Sequence, residues 1–164
     1  MMLKLAICLA TFYHLLATVA AMAGVLYMLR DVLQEGEREP FAHRMFRWGE
    51  LHLWMSGALI VALGLTQSGL DYLNNPKLWT KVSVVLLWGA NSLLIKRYLA
   101  QANDARRHLM MGISMASLIY GTFLGVAKPL ARGVASYPEL LGGFILALVA
   151  CVGWLASQRP ARRG

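Results

Sequence analysis

Acidic residues are in short supply in this chain: eight Asp and Glu stand against sixteen Lys and Arg, and charged residues make up only 15% of its 164 positions. Ordinary soluble domains carry about 25% charged and about 45–50% apolar residues. Here 58% of the residues are hydrophobic and the mean hydropathy is +0.53. So little charge argues against a soluble enzyme with a surface facing water on all sides. Cysteine is scarcer still. Cys8 and Cys151 lie far apart in apolar runs without CxxC spacing, so neither a disulfide framework nor a zinc site is written here. Walker-type, GxGxxG and HExxH motifs are lacking too. No internal repeat is evident, and the length suits a single domain, 1–164.

What is present is a set of five apolar stretches, approximately 5–29, 51–69, 78–95, 109–127 and 140–156. Each is long enough for a helix to cross a hydrocarbon core of ~30 Å. The expected fold is therefore all-α, a polytopic membrane helix bundle with a four-helix core and a fifth transmembrane helix. The first stretch runs past Ala21-Met22-Ala23 into further apolar sequence and carries His14, which favours a retained span over a cleaved signal. Pro76 is placed to open the third helix, and Ser136-Tyr137-Pro138-Glu139 reads as a start signal for the fifth. In the charged first connection, the end FAHRMFRWGELHLW keeps helical periodicity and extends the second helix. The fourth stretch contains Ser114, Ser117, Tyr120 and Thr122, which points it toward other helices.

The net charge of +8 reads as a topology signal. Eleven Lys and Arg fall in the first and third connections and the tail, and five fall on the opposite side. The positive-inside rule then puts the N-terminus outside and the C-terminus in the cytoplasm, with a bacterial inner membrane the expected location. No clustered basic face with base-reading groups suggests nucleic acid. Of the tryptophans, Trp48, Trp54, Trp79 and Trp154 suit an interfacial belt, and Trp88 lies deeper.

A few polar residues inside the spans are candidates for chemistry. His14 falls near mid-membrane, where an ionisable side chain is costly and by default suggests function. Imidazole is a common axial ligand of haem iron, and small neighbours such as Ala17, Ala21 and Gly24 would admit a helix or a flat ligand. The bland reading is a neutral histidine bonded to a carbonyl. His52 is a weaker candidate ligand, ~7–10 Å from His14 along the membrane normal by straight-helix arithmetic. His43 reads as solvated. His108, Met111 and Met115 share a helical face and would suit Cu(I), although methionine is also an ordinary core filler. Lys81, Lys128, Arg30 and Arg47 could snorkel to headgroups or bind an anionic group such as a porphyrin propionate.

In the first span, His14, Ala23-Gly24, Tyr27 and Arg30 resemble the first helix of the HemJ-type protoporphyrinogen oxidase family, a histidine followed by Ala-Gly, Tyr and Arg. LWTKVSVVLL places Lys81 on a helix start similar to that family's, and Val126-Ala127-Lys128-Pro129-Leu130 resembles its Val-Lys-Pro-Phe end. Some features depart from the pattern. Met28-Leu29-Arg30 replaces Leu-Pro-Arg, the Asn-Glu-x-Pro motif is absent, and Asn91 and Ser92 stand where a histidine is expected. The resemblance, to a divergent member of the wider HemJ/CopD-like group, implies a haem b-binding bundle. Its His14 would ligate iron, and Lys81, Arg30 or Lys128 would bind propionates. It implies oxidation of protoporphyrinogen IX, with electrons passing to quinone or the respiratory chain. Two alternatives from other classes are a copper-handling CopD-like protein and a non-catalytic accessory subunit of a larger membrane complex. Gly142-Gly143, Ala147 and Ala150 make helix-mediated self-association plausible.

Overall fold

A computed structural model describes residues 1–34, 40–127 and 134–158. They form five helices: α1 (Met2–Gln34), α2 (Pro40–Ser68), α3 (Pro76–Tyr98), α4 (Asp104–Val126) and α5 (Tyr137–Ser157), with a 3-10 turn at Gly69–Asn74 between α2 and α3. No strand occurs among the described residues. All five helices are long and apolar enough to cross a membrane. The structure is thus an all-α bundle of membrane-spanning helices. At 33 residues, α1 is about 50 Å long and overruns the hydrocarbon core. The charged first connection is largely helical, with α2 beginning at Pro40, as its periodicity predicts.

The helix ends follow local chemistry. Asn75 caps α3 by accepting from Lys77 N at 3.1 Å, with Pro76 in the first turn. Asn103 caps α4 through Arg106 N at 3.0 Å, which starts that helix about a turn before its apolar stretch. At α5, Glu139 Oε2 accepts from Ser136 N at 2.7 Å. Gly69, at φ +59°, supplies the left-handed residue that ends α2. The turn after it folds Tyr72 over Gly64, where a Cβ would meet the ring at 2.6 Å.

Packing divides the bundle into two parts. The first is an antiparallel hairpin of α1 and α2, the most closely packed pair. A Cβ at Gly24 would sit 2.6 Å from Phe46 N, and one at Gly49 would sit 2.5 Å from Ala21 N. Each glycine therefore lets one backbone lie directly on the other. Lipid tails are as apolar as leucine, so hairpin stability comes from this intimacy and not from removing surface from water. The second part joins α4 to α3 and α5. Tyr120 donates to Leu140 O at 2.5 Å and packs over Gly143, and Gly112 lies against Val152. Gly143 and Ala147, part of the small-residue face of α5, are thus used within the chain. The two parts meet where α1 packs on α4, in a core that includes Val25, Met28, Phe46, Trp88, Met111 and Leu155.

Consecutive in sequence, α2 and α3 are joined by side chains more than by close backbone packing. Lys96 Nζ donates to the buried Glu50 Oε2 at 2.6 Å, Phe46 and Trp88 meet edge-to-face at 5.9 Å, and Trp54 lies over Gly89. The other four tryptophans are exposed, as an interfacial belt requires, and Trp88 is buried.

Candidate functional site at His14 and Lys81

His14 sits in the α1–α2 seam in the same antiparallel register as the Gly24–Phe46 and Ala21–Gly49 contacts, seven residues further toward the start of α1. Its partner there is Ser56, which is buried, with Nδ1 and Oγ 2.8 Å apart. Ser56 also lies 2.6 Å from the carbonyl of His52 and donates to it. A serine hydroxyl has one proton. With that proton committed to His52 O, Ser56 Oγ accepts from His14, so Nδ1 carries a hydrogen, and in the neutral ring Nε2 keeps its lone pair. This is the arrangement of a ligating histidine, one ring nitrogen anchored and the other free to bind. Gly57 leaves space beside the ring, since a Cβ there would lie 3.7 Å from His14 Cε1.

Lys81 is the second candidate inside the bundle. On α3 the buried positions Lys77, Val84, Trp88, Ser92 and Ile95 form one stripe, and Lys81 falls within it. It therefore faces the bundle instead of snorkelling outward from a lipid-facing position. Its charge acts on His14, and it has no hydrogen-bond or ion-pair partner among the described residues. Lys77, one turn nearer the helix start, is by contrast satisfied by Ala127 O at 2.6 Å. Burying an ammonium without a counter-charge is costly. The pairing of an anchored neutral imidazole with an unpartnered cation suits an anionic ligand that also offers a metal or an acceptor.

The other candidates are distributed elsewhere. His52 is one turn from Ser56 on α2, about 6 Å along the helix. Its Nδ1 is hydrogen-bonded to Tyr13 Oη, and the Trp48 ring lies against it, tilted by 44° with ring centroids 3.8 Å apart. Tyr13 and Trp48 are both exposed, so His52 belongs to the outward face of the hairpin while His14 lies in its seam. Arg30 is exposed and sixteen residues along α1 from His14, about 24 Å away, too far to share that site. Arg47 is likewise exposed on α2. Lys128 lies outside the described residues. His108, Met111 and Met115 are buried on α4, the two methionines within the main core, and His108 Nδ1 has no partner among the described residues. His43 is half-buried and takes part in an interaction of its own. Among the described residues, no three His, Cys, Asp or Glu side chains gather as a metal cluster. A haem needs only one such ligand from the protein, so this does not bear on His14.

Sequence reasoning found His14 from its depth but not Ser56, because a serine in an apolar run carries no signal until the helix opposite is known. It likewise missed the Glu50–Lys96 pair, whose partners are forty-six positions apart.

No family model, curated protein or solved structure matches the chain. The fold and the site therefore define it by class: a membrane-spanning five-helix bundle with an anchored histidine and an unpartnered lysine facing its interior.

Proposed function

We propose that this protein is a haem b-binding membrane redox protein, in which His14 Nε2 would hold the iron and Lys81 would pair with a propionate. The carrying observation is the hydrogen-bond order His14 Nδ1–H to Ser56 Oγ to His52 O, which leaves Nε2 as a bare donor. Lys81 supports it as an interior cation without a partner among the described residues, and a propionate would offset the cost of leaving that ammonium alone. When bound, haem would supply one-electron chemistry; His14 would hold it, the apolar hairpin would exclude water, and the Ser56 anchor would orient the imidazole. The resemblance of the His14, Lys81 and Lys128 segments extends the proposal to oxidation of protoporphyrinogen IX with electrons delivered to the respiratory chain. The eleven-to-five distribution of Lys and Arg supports an inner-membrane orientation with the N-terminus outside.

An absorption spectrum of the protein purified in detergent tests the binding. A Soret band and a reduced α-band of b type are expected, abolished in His14→Ala and weakened in Lys81→Met. Protein without a Soret band, even after incubation with haemin, overturns it. Copper handling is the second reading, favoured by the unpartnered His108 Nδ1 on a buried face with Met111 and Met115. Stoichiometric copper by elemental analysis, lost in His108→Ala, would select it.

A further inference from the structure

A second polar centre lies where α3 crosses α4, apart from the His14 site. Asn91 Nδ2 donates to Met110 O at 2.7 Å and to Ser114 Oγ at 2.9 Å. Around this bond, Asn91 Oδ1, Trp88 Nε1, Ser92 Oγ and Ser117 Oγ are all buried without a hydrogen-bond partner among the described residues. The four residues are each no more than 4% exposed. Trp88, Asn91 and Ser92 are three and four residues apart on α3, within about one turn. The Asn91–Ser114 bond sets the antiparallel register, so Ser117, three residues further along α4, comes level with Trp88, three residues earlier on α3. The four residues thus fall within about a single helical turn of the crossing.

Their chemistry is complementary in kind. Trp88 Nε1 only donates, Asn91 Oδ1 only accepts, and the two serine hydroxyls do both. Buried polar groups in native proteins are almost always satisfied, and an unpaired one costs as much as a lost hydrogen bond or more. Direct bonds among these groups are not made. The cheapest common partner is a molecule that is small, donates and accepts, and meets two to four polar groups, as buried water does. A purely packing role would not require these residue types, since Ala, Val or Phe would fill the same space without orphaned atoms.

We propose that the α3–α4 crossing is an internal hydration site, in which water bridges Trp88, Asn91, Ser92 and Ser117 inside the membrane-spanning bundle. Lys81 stands seven residues, two turns, from Trp88 on the same face of α3, so the site puts an exchangeable proton carrier beside the functional stripe. The hydration site does not depend on haem.

Millisecond radiolytic labelling of the whole protein in nanodiscs, read by mass spectrometry, tests it, because radiolysis of bound water oxidises the side chains it touches. Trp88 is 2% exposed and Met28 1%, so bulk radicals reach neither, and the thioether of Met28 offers no N–H or O–H to hold a water. Trp88 is expected to be oxidised several-fold more than Met28. In Ser92→Ala/Ser117→Ala, two small replacements that the packing tolerates, Trp88 labelling is expected to fall toward the Met28 level. Trp88 protected as fully as Met28 in the unmodified protein overturns the proposal. So does Trp88 labelling that persists unchanged in the double variant, since the oxidant would then arise elsewhere.

Discussion

Ser56 gives its one proton to the carbonyl of His52, and His14 must therefore donate to Ser56 from Nδ1. The partners lie on two consecutive helices, forty-two residues apart in sequence, yet this contact fixes the tautomer of the neutral His14 ring. Replacing Ser56 by Ala leaves Nδ1–H without an acceptor in an apolar seam. Loss of an outer partner of a ligating histidine costs about 10–100-fold in metal affinity. Haemin titration of Ser56→Ala should show a loss in that range with the fold intact by circular dichroism. Ser56→Thr, which keeps the hydroxyl, should retain most of the affinity. Equal affinities for all three proteins would remove Ser56 from the site.

The hairpin seam makes a steric prediction. Gly24 and Gly49 hold backbone against backbone, so a larger side chain must push the helices apart. Overpacking of this kind costs about 1–3 kcal/mol and often more where backbone is the obstacle. Gly24→Leu and Gly49→Leu should lower the thermal midpoint sharply. Gly57→Ala, with its nearest neighbour at an ordinary 3.7 Å, should leave it nearly unchanged. Similar midpoints for Gly24→Leu and the parent would contradict the register.

Because α2 is tied to α3 by side chains, the Glu50–Lys96 pair matters more than a surface bridge would. Glu50 is the buried partner and its carboxylate would be left alone in Lys96→Ala. That variant should lose about 1–3 kcal/mol, the usual cost of an orphaned buried group. Glu50→Gln/Lys96→Gln should lose less, since both charges go together. Denaturation in mild detergent mixtures would rank the two, and the opposite order would mean that the bridge is solvated.

Tyr120 ties the second half of the bundle by donating to Leu140 O. That carbonyl lies in the first turn of α5, so the bond holds the entry of α5 against α4. Tyr120→Phe keeps the ring packed on Phe144 and over Gly143 and removes only the hydroxyl. A loss of about 1 kcal/mol is expected. Faster amide exchange at the start of α5, with α1 and α2 unaffected, would localise the effect; uniform exchange changes would contradict it.

The outline of the fold was legible because span length, capping and hydropathy are local properties. Asn75-Pro76 and Ser136 with Glu139 mark their helix starts in sequence and act as caps in the structure. The polar character of Ser114, Ser117 and Tyr120 correctly signalled an inward-facing α4. Lys81 was harder to read. Near the start of an apolar run it looks like a lysine reaching for headgroups, and only the buried stripe of α3 shows that it faces the interior. Asn91 and Ser92, noted first as departures from a family pattern, turn out to be the centre of the α3–α4 crossing.

The scarcity of charge with which the sequence is first read decided, by itself, that this is a bundle of five membrane-crossing helices, since each ~20-residue apolar run can satisfy its backbone in lipid only as a helix. Which side of each helix faces protein was left to the tertiary structure. In a bilayer the interior of the bundle and the lipid around it are equally apolar, so hydropathy has no phase to report. Only the close approach of α1 to α2, permitted by Gly24 and Gly49, brings Ser56 to His14, and only the packing of α3 turns Lys81 to the interior of the bundle.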